Sequence, residues 1–388
     1  MPWLILQIIF WTIGALWALA AAELLRSVLS LKRLPTLESF PEPPPTLSVI
    51  IAVRDEAARI EKTVRQVLAQ QGVDLQLIVV NDRSRDATPE ILNKLAQEFP
   101  RLKTITIETL PENWLGKCHA MHVGAQSATG DWLLFTDGDI WLSPDATPRA
   151  IAAAKSLNVE HITLTPSQHL PDNQKPTPLY QSVMLMFHLI MNVHLGRANR
   201  DRPNSMAGIG AFNLIRADVY QKIGGHESLR LEVADDMKLG LLVRRANLKS
   251  RALIGDDAVE CDWAATIRGI KRALEKNMWA GINFSLPLAI LLTLFLASLW
   301  IIPILALFFL PHPSAIAAAL GLLLLVVIAT AQAKKNRWRL WPALLAPIAG
   351  PIIAGVLWNS IFTTLRQGGI RWRDTFYPLA LLRSGMVK

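Results

Sequence analysis

The chain is 388 residues long, 51% of them hydrophobic, with a formal net charge of +9. That length and apolar content leave room for a soluble domain plus membrane spans. The positive charge lies beside apolar runs and forms no aromatic-studded patch, which argues against nucleic acid as a partner. Two cysteines, Cys118 and Cys261, are too few and too far apart for a disulfide framework or a zinc site.

Residues 2–25 hold one charge, Glu23, and are long enough to cross a bilayer core, which takes about 20 helical residues. Arg26, Lys32 and Arg33 follow with no small-residue cleavage pattern, so residues 1–25 are expected to be a retained transmembrane anchor. A basic linker over 26–45 ends in Pro41-Glu42-Pro43-Pro44-Pro45, a stiff spacer.

Residues 46–262 have mixed composition. Short β-branched runs at 47–53, 75–80, 104–107 and 132–136 alternate with helix-like intervals at 56–70, 88–99 and 116–128. The alternation predicts an α/β domain with a mostly parallel, doubly wound central sheet. Ligands of such sheets bind beyond the carboxyl ends of the strands. Arg54-Asp55-Glu56, Asn81-Asp82 and Asp137-Gly138-Asp139 all fall at those ends. Asp137 and Asp139, flanking one glycine after an apolar strand, make a compact oxygen site for a hard divalent cation. Asp86, ahead of Thr88-Pro89-Glu90, reads as a helix cap. The stretch 180–195, with Met184, Met186 and Met191, reads as core packing or as a groove for a lipid tail.

Beyond residue 262, Ile267, Ile270, Leu274, Met278 and Ile282 recur at helical spacing. Arg268, Lys271, Arg272 and Lys276 take the other face, with Trp279 at the edge. This predicts an amphipathic helix over 263–283 lying in a membrane interface. The uncharged runs 284–310 and 314–333 are long enough to span. So is 342–365, although Pro342, Pro347 and Pro351 make it a broken helix or a re-entrant segment. Basic pieces at 26–33, 268–276, 334–339 and 366–388 belong on the cytoplasmic side by the positive-inside rule. A full span at 342–365 would separate the last two; a re-entrant hairpin keeps them together. The expected localisation is the cell membrane, multi-pass, with 46–262 cytoplasmic and 366–388 a basic cytoplasmic tail.

With these pieces in order, residues 46–262 resemble the family-2 glycosyltransferases, inverting enzymes whose nucleotide-sugar domain has the Rossmann-like GT-A fold. Ser48-Val49-Ile50-Ile51-Ala52-Val53-Arg54-Asp55-Glu56 is similar to that family's opening strand and acidic loop. Val79-Val80-Asn81-Asp82 is similar to its second nucleotide-binding element, with Asn81 where an acid is usual. The resemblance implies nucleotide contacts from Val53, Asp55, Glu56, Asp82, Lys117 and Asp137. A carboxylate such as Asp82 can accept the imide N–H of uracil, and Asp55 or Glu56 can hold ribose hydroxyls. It implies Mg2+ or Mn2+ at Asp137 and Asp139. Leu110-Pro111-Glu112-Asn113-Trp114-Leu115-Gly116-Lys117 resembles members acting on membrane lipids, the hopanoid-associated and carotenoid-acid glycosyltransferases among them. Gly116-Lys117 opening a helix brings a cation and free N–H groups to an anion.

Met206-Ala207-Gly208-Ile209-Gly210 resembles the acceptor-side strand, where Gly208 and Gly210 would let a sugar approach the backbone. His226, after a turn at 220–225, is either a contact to diphosphate or metal or a structural residue. Asp235-Asp236, with Leu239 downstream, resembles the family's acidic pair. That implies Asp236 as catalytic base, with Asp235 the alternative; adjacent like charges raise one pKa. A helix N-terminal acidic pair is the plainer reading. Polymerising members carry Gln-x-x-Arg-Trp; here Lys276-Asn277-Met278-Trp279 keeps only the tryptophan, a candidate sugar contact. Together these imply one sugar moved from a UDP-sugar, or second a GDP-sugar, to a lipid acceptor at the membrane. The rival readings are a processive synthase and a non-catalytic protein that binds nucleotide sugar.

Overall fold

The structure, a computed structural model, describes residues 2–170, 175–309 and 312–387. The chain forms two compact units. One comprises Leu31–His169, Arg197–Trp263 and Pro378–Lys388; the other comprises Met1–Ser30, Leu170–Gly196 and Ala264–Tyr377.

The first unit is α/β. Its strands are β1 (Lys32–Arg33), β2 (Thr46–Val53), β3 (Asp74–Asp82), β4 (Leu102–Ile107), β5 (Trp132–Asp137), β6 (Ile140–Leu142), β7 (His161–Thr165), β8 (Ser167–Gln168), β9 (Asn213–Arg216), β10 (Ser250–Ile254) and β11 (Val259–Cys261). Eight of them make one sheet in the order β1-β10-β7-β9-β5-β2-β3-β4. All neighbours run parallel except β9, which is antiparallel to both β5 and β7. The run Val49-Ile50-Ile51 is wholly buried because apolar layers cover both faces of the sheet, as its near-continuous apolar sequence requires. From β2 the chain winds outward through β3 and β4, then returns to add β5 on the other side of β2. That reversal is a topological switch point, and it opens a crevice at the carboxyl ends of β2 and β5. Register pairs Val53 with Asn81 and Ala52 with Asp137, so the predicted polar groups sit side by side there.

The second unit is helical: Pro2–Ser30, Pro178–Asn199 up to Gly196, Leu286–Phe309, His312–Lys335 and Ala346–Gln367, with a hairpin of Gly369–Trp372 and Thr375–Pro378. Among the described residues it exposes many large apolar side chains, Leu19, Leu291, Leu294, Leu323 and Phe362 among them. Some polar side chains are buried inside it, Asn192 and Gln332 among them. Asn192 Nδ2 donates to Gln332 Oε1 (2.7 Å), and Gln332 Nε2 donates to Asn336 Oδ1 (2.9 Å).

Three expectations change here. Residues 342–365 form no re-entrant hairpin: a 3-10 turn at Trp341–Leu345 leads into one helix, Ala346–Gln367, that runs through Pro351. Pro347 falls in the first turn, where its missing N–H costs nothing, so Pro351 breaks a single bond of the ladder. Residues 263–283 are not one helix but two short ones, Ile267–Leu274 and Asn277–Ala280. Finally, among the described residues one helix, Trp341–Gln367, is long and apolar enough to cross a membrane. Transmembrane helices at both ends therefore do not follow; Met1 and Leu310, the limits of two predicted spans, lie outside the described residues.

Candidate active site

The crevice is built from loops that leave β2, β3 and β5. At the end of β3, Asp82 is buried and held by its neighbour: Arg83 Nε and Nη2 donate to the two carboxylate oxygens at 2.7 and 3.1 Å. Gly116 opens the helix Gly116–Gln126 directly against it, and a Cβ there would stand 2.2 Å from Asp82 Oδ2. Asn81, where an acid is usual, accepts the Ser84 N–H (3.1 Å) and closes the turn. Asp55 has a positive φ of 55° and accepts the Arg85 N–H at 2.7 Å, while its own N–H donates to Ser84 Oγ. The Glu56 N–H donates to Thr88 Oγ1 (3.0 Å). The loops after β2 and β3 are thus laced together. Asp86 accepts from the Ala57 and Thr88 N–H groups, but it stands one residue before the cap position, Ala87, of the helix Thr88–Glu98, so it closes the turn before the helix and is not its cap. Val53 is buried, its side chain beside Gly138.

Asp137 ends β5. Its Oδ1 lies 2.8 Å from Lys117 Nζ, and that same ammonium is 3.7 Å from Asp235 Oδ1. Burial alone would lower the Lys117 pKa, but Asp137, Asp235 and Asp236 together hold it well above its ordinary value. Lys117 is therefore a permanent cation set among three carboxylates. Asp139 is pushed up to about 7 by burial and by the charges of Asp137 and Glu56. Crowded, electron-rich oxygens of this kind fit a hard divalent cation, which relieves their repulsion. Among the described residues no group of three His, Cys, Asp or Glu side chains forms a ready-made metal cage. Asp137 and Asp139 would supply the protein's share of ligands, and diphosphate and water the rest, the usual habit of magnesium.

Asp235 and Asp236 open the helix Asp235–Arg245. Asp235 is buried between Lys117 and His226, whose Nε2 is 3.7 Å away; Asp236 keeps part of its surface open. Burial, then the neighbouring Asp235 charge, pushes Asp236 up to about 6. A reachable carboxylate titrating just below neutrality suits a general base. His226 Nδ1 lies 2.9 Å from the Tyr220 hydroxyl, so the imidazole spans Tyr220 and Asp235 and lies beside the acidic pair.

Two sequence-derived placements, Gly208 and Trp279, need correction. The room over Gly208 is filled by protein: a Cβ would be 1.8 Å from the Asp236 carbonyl oxygen. At Gly210 it would be 2.6 Å from Asp137 Oδ2. Gly208 thus admits the Asp236 backbone where a sugar is expected, whereas Gly210 lies against the side-chain ends of Asp137 and Lys117, within the candidate site. Trp279 belongs to the helical unit, 1% exposed, its ring against Phe284 and its backbone N–H donating to Ser360 Oγ (3.1 Å). It offers no face to a sugar. Sequence reasoning assigned no role to Arg83 or Tyr220, because neither the Arg83 fork on Asp82 nor the Tyr220–His226 pair has a residue pattern that announces it.

Residues 48–224 match glycosyl transferase family 2. The chain is 25% identical over 215 residues to the 4,4'-diaponeurosporenoate glycosyltransferase of Staphylococcus haemolyticus, covering 52% of each. It is 28% identical over 153 residues to the beta-monoglucosyldiacylglycerol synthase of a Synechocystis species, covering 37% of this chain and 32% of that one. The match thus spans about half, or less, of these relatives. Among solved structures, a mannosyltransferase from Pyrobaculum calidifontis in complex with GDP-Man and Mn2+ is similar at a TM-score of 0.49 and 17% identity, over 85% of this chain and 99% of that one.

Proposed function

We propose that this chain, whose residues 48–224 are a glycosyl transferase family 2 domain, moves a single sugar from a nucleotide-sugar donor to a lipid acceptor with inversion. The observation that carries the reading is the cluster at the switch point, Lys117 shared by Asp137 and Asp235 with Asp236 alongside. It joins a donor-side carboxylate, Asp137, through one cation to Asp235, the neighbour of the base. The acceptor oxygen attacks the anomeric carbon opposite the diphosphate, whose bond to that carbon breaks and whose oxygen leaves with the electron pair. Asp236 takes the proton of an acceptor hydroxyl as the new bond forms. Lys117 stands where it can offset the charge growing on the diphosphate. Mg2+ or Mn2+ held by Asp137 and Asp139 would supply further charge neutralisation there.

UDP-sugar is the favoured donor, with Asp82 toward the base and Asp55 or Glu56 toward the ribose. A lipid acceptor is supported by the many large apolar side chains that the helical unit exposes. It is supported also by relatives whose names are those of lipid glycosyltransferases. On this reading the protein is multi-pass, its α/β unit cytoplasmic, and the helices Ile267–Leu274 and Asn277–Ala280 are interfacial. The test is incubation of the protein in lipid with Mn2+, a panel of nucleotide sugars and a membrane lipid extract. One lipid gaining a single hexose mass, lost in Asp236→Asn, supports the reading. Long polymers would make the protein a processive synthase. Nucleotide binding with no turnover would leave it non-catalytic.

A further inference from the structure

The acidic pair lies in the heptapeptide Glu232-Val233-Ala234-Asp235-Asp236-Met237-Lys238, and both ends of that heptapeptide are charged and buried, Glu232 at 1% and Lys238 at 2% exposure. The same backbone residue holds both ends. The Val387 N–H donates to Glu232 Oε1, and Lys238 Nζ donates to the Val387 carbonyl. Lys238 Nζ also lies 3.8 Å from Glu232 Oε1, closing a three-membered clasp. Two more contacts seat the segment. Gly385 lies so close to Leu231 that a Cβ would be 2.4 Å from its Cδ1, and Leu382 is wholly buried. The Glu232 carbonyl accepts from Cys118 Sγ (3.3 Å), next in sequence to Lys117.

A buried ion pair adds little to stability over a well-packed apolar pair, so its use is better sought in geometry. Here the geometry concerns the placement of two carboxylates whose loop has no side-chain cap of its own. We propose that residues 379–387 are a positioning strap, with Glu232 and Lys238 as positioning residues that fix Asp235 and Asp236 against Lys117. The inference rests on the reading of Asp236 as base. The strap's contacts are with Leu231, Glu232 and Lys238, so it acts on the base through the loop that carries it.

Three variants test it: residues 379–387 replaced by a Gly/Ser segment, Glu232→Gln, and Lys238→Met. Each is compared with the full chain in lipid for kcat, donor KM, nucleotide affinity by calorimetry, and amide hydrogen exchange. The expected result is kcat down by about tenfold or more with donor KM within about twofold, the signature of a transition-state interaction lost. Exchange should rise at residues 233–240 and stay unchanged in β2 and β3. The point variants keep the test open if the replaced segment fails to fold. Wild-type kcat with unchanged exchange would overturn the strap. Loss of nucleotide affinity with faster exchange throughout the domain would overturn it too, by making the segment a general fold support. If the intact protein shows no turnover, the enzymatic reading falls, while exchange at 233–240 still decides whether the clasp holds the loop.

Discussion

Replacing Gly208 by alanine isolates the geometry of the base from its chemistry. The added methyl carbon would stand 1.8 Å from the Asp236 carbonyl oxygen, 2.3 Å from its carbon and 2.8 Å from the Met237 nitrogen. These are backbone atoms, so no rotamer change relieves the contact. Restoring an ordinary separation of about 3.4 Å requires the chain at Asp236 to retreat by roughly 1.5 Å. A displacement of about 1 Å near reacting atoms can cost on the order of a hundredfold in rate. The accompanying overpacking should cost about 1–3 kcal/mol of stability. The expected phenotype is kcat lowered by about two orders of magnitude, with nucleotide affinity nearly intact because Asp82 and Asp137 lie on other strands. Gly255→Ala is the control, a tight contact with Leu164 at 3.0 Å on a different segment. It should lower Tm and spare kcat. A Gly208→Ala protein with wild-type kcat and lowered Tm would refute the idea that this contact places the base.

Turnover should fall about tenfold per pH unit below about 6, because Asp236 must be unprotonated to accept a proton and burial has raised it to that point; a kcat–pH profile flat from 5 to 8 would exclude it as the base. Lys117→Met leaves Asp137, Asp235 and Asp236 without their shared cation, so both donor affinity and kcat should drop, kcat by on the order of a hundredfold, in steady-state assays across donor concentrations. Asp139→Asn thins a crowded group of carboxylates, so calorimetry should find the metal-free protein at least as stable and the rise of Tm with Mn2+ abolished. His161, neutral and buried between Asn213 and Ser250, is pushed down to about 4 from its ordinary 6.5 by burial. The unfolded chain then binds the proton first, so stability present above pH 6.5 is lost as pH falls toward 4, by roughly 3 kcal/mol. Urea melts should show this loss in the wild type and not in His161→Gln.

The first half of the α/β unit was legible because parallel strands buried on both faces write themselves as apolar runs ending in polar residues. Asp82 and Asp137 stand where those runs stop, at the ends of β3 and β5. The second half was not. Strands such as β6, β8 and β11 are two or three residues long, too short to carry a period. Nothing local marks β9 as the antiparallel strand inserted between β5 and β7. The position of Lys117 at a helix start points to an anionic ligand, but its contact with Asp235 joins residues more than a hundred apart in sequence. Trp279 misled because a short motif fragment was read without its unit; burial against Phe284 and Ser360 decides its surroundings. The apolar stretch at 342–365 misled in another way, since proline positions that spell a break in water cost one hydrogen bond inside a packed helix.

Val387 bonds to residues 155 and 149 positions earlier in the chain. Between them comes the whole helical stretch of residues 264–377. Synthesis in the N-to-C direction therefore delivers Asp235 and Asp236 long before the amide and carbonyl that clasp the loop around them. During synthesis the nascent α/β unit passes through a stage with its carboxylates present and their mooring absent. The loop that carries the acidic pair is thus closed by a segment made only after the helical stretch.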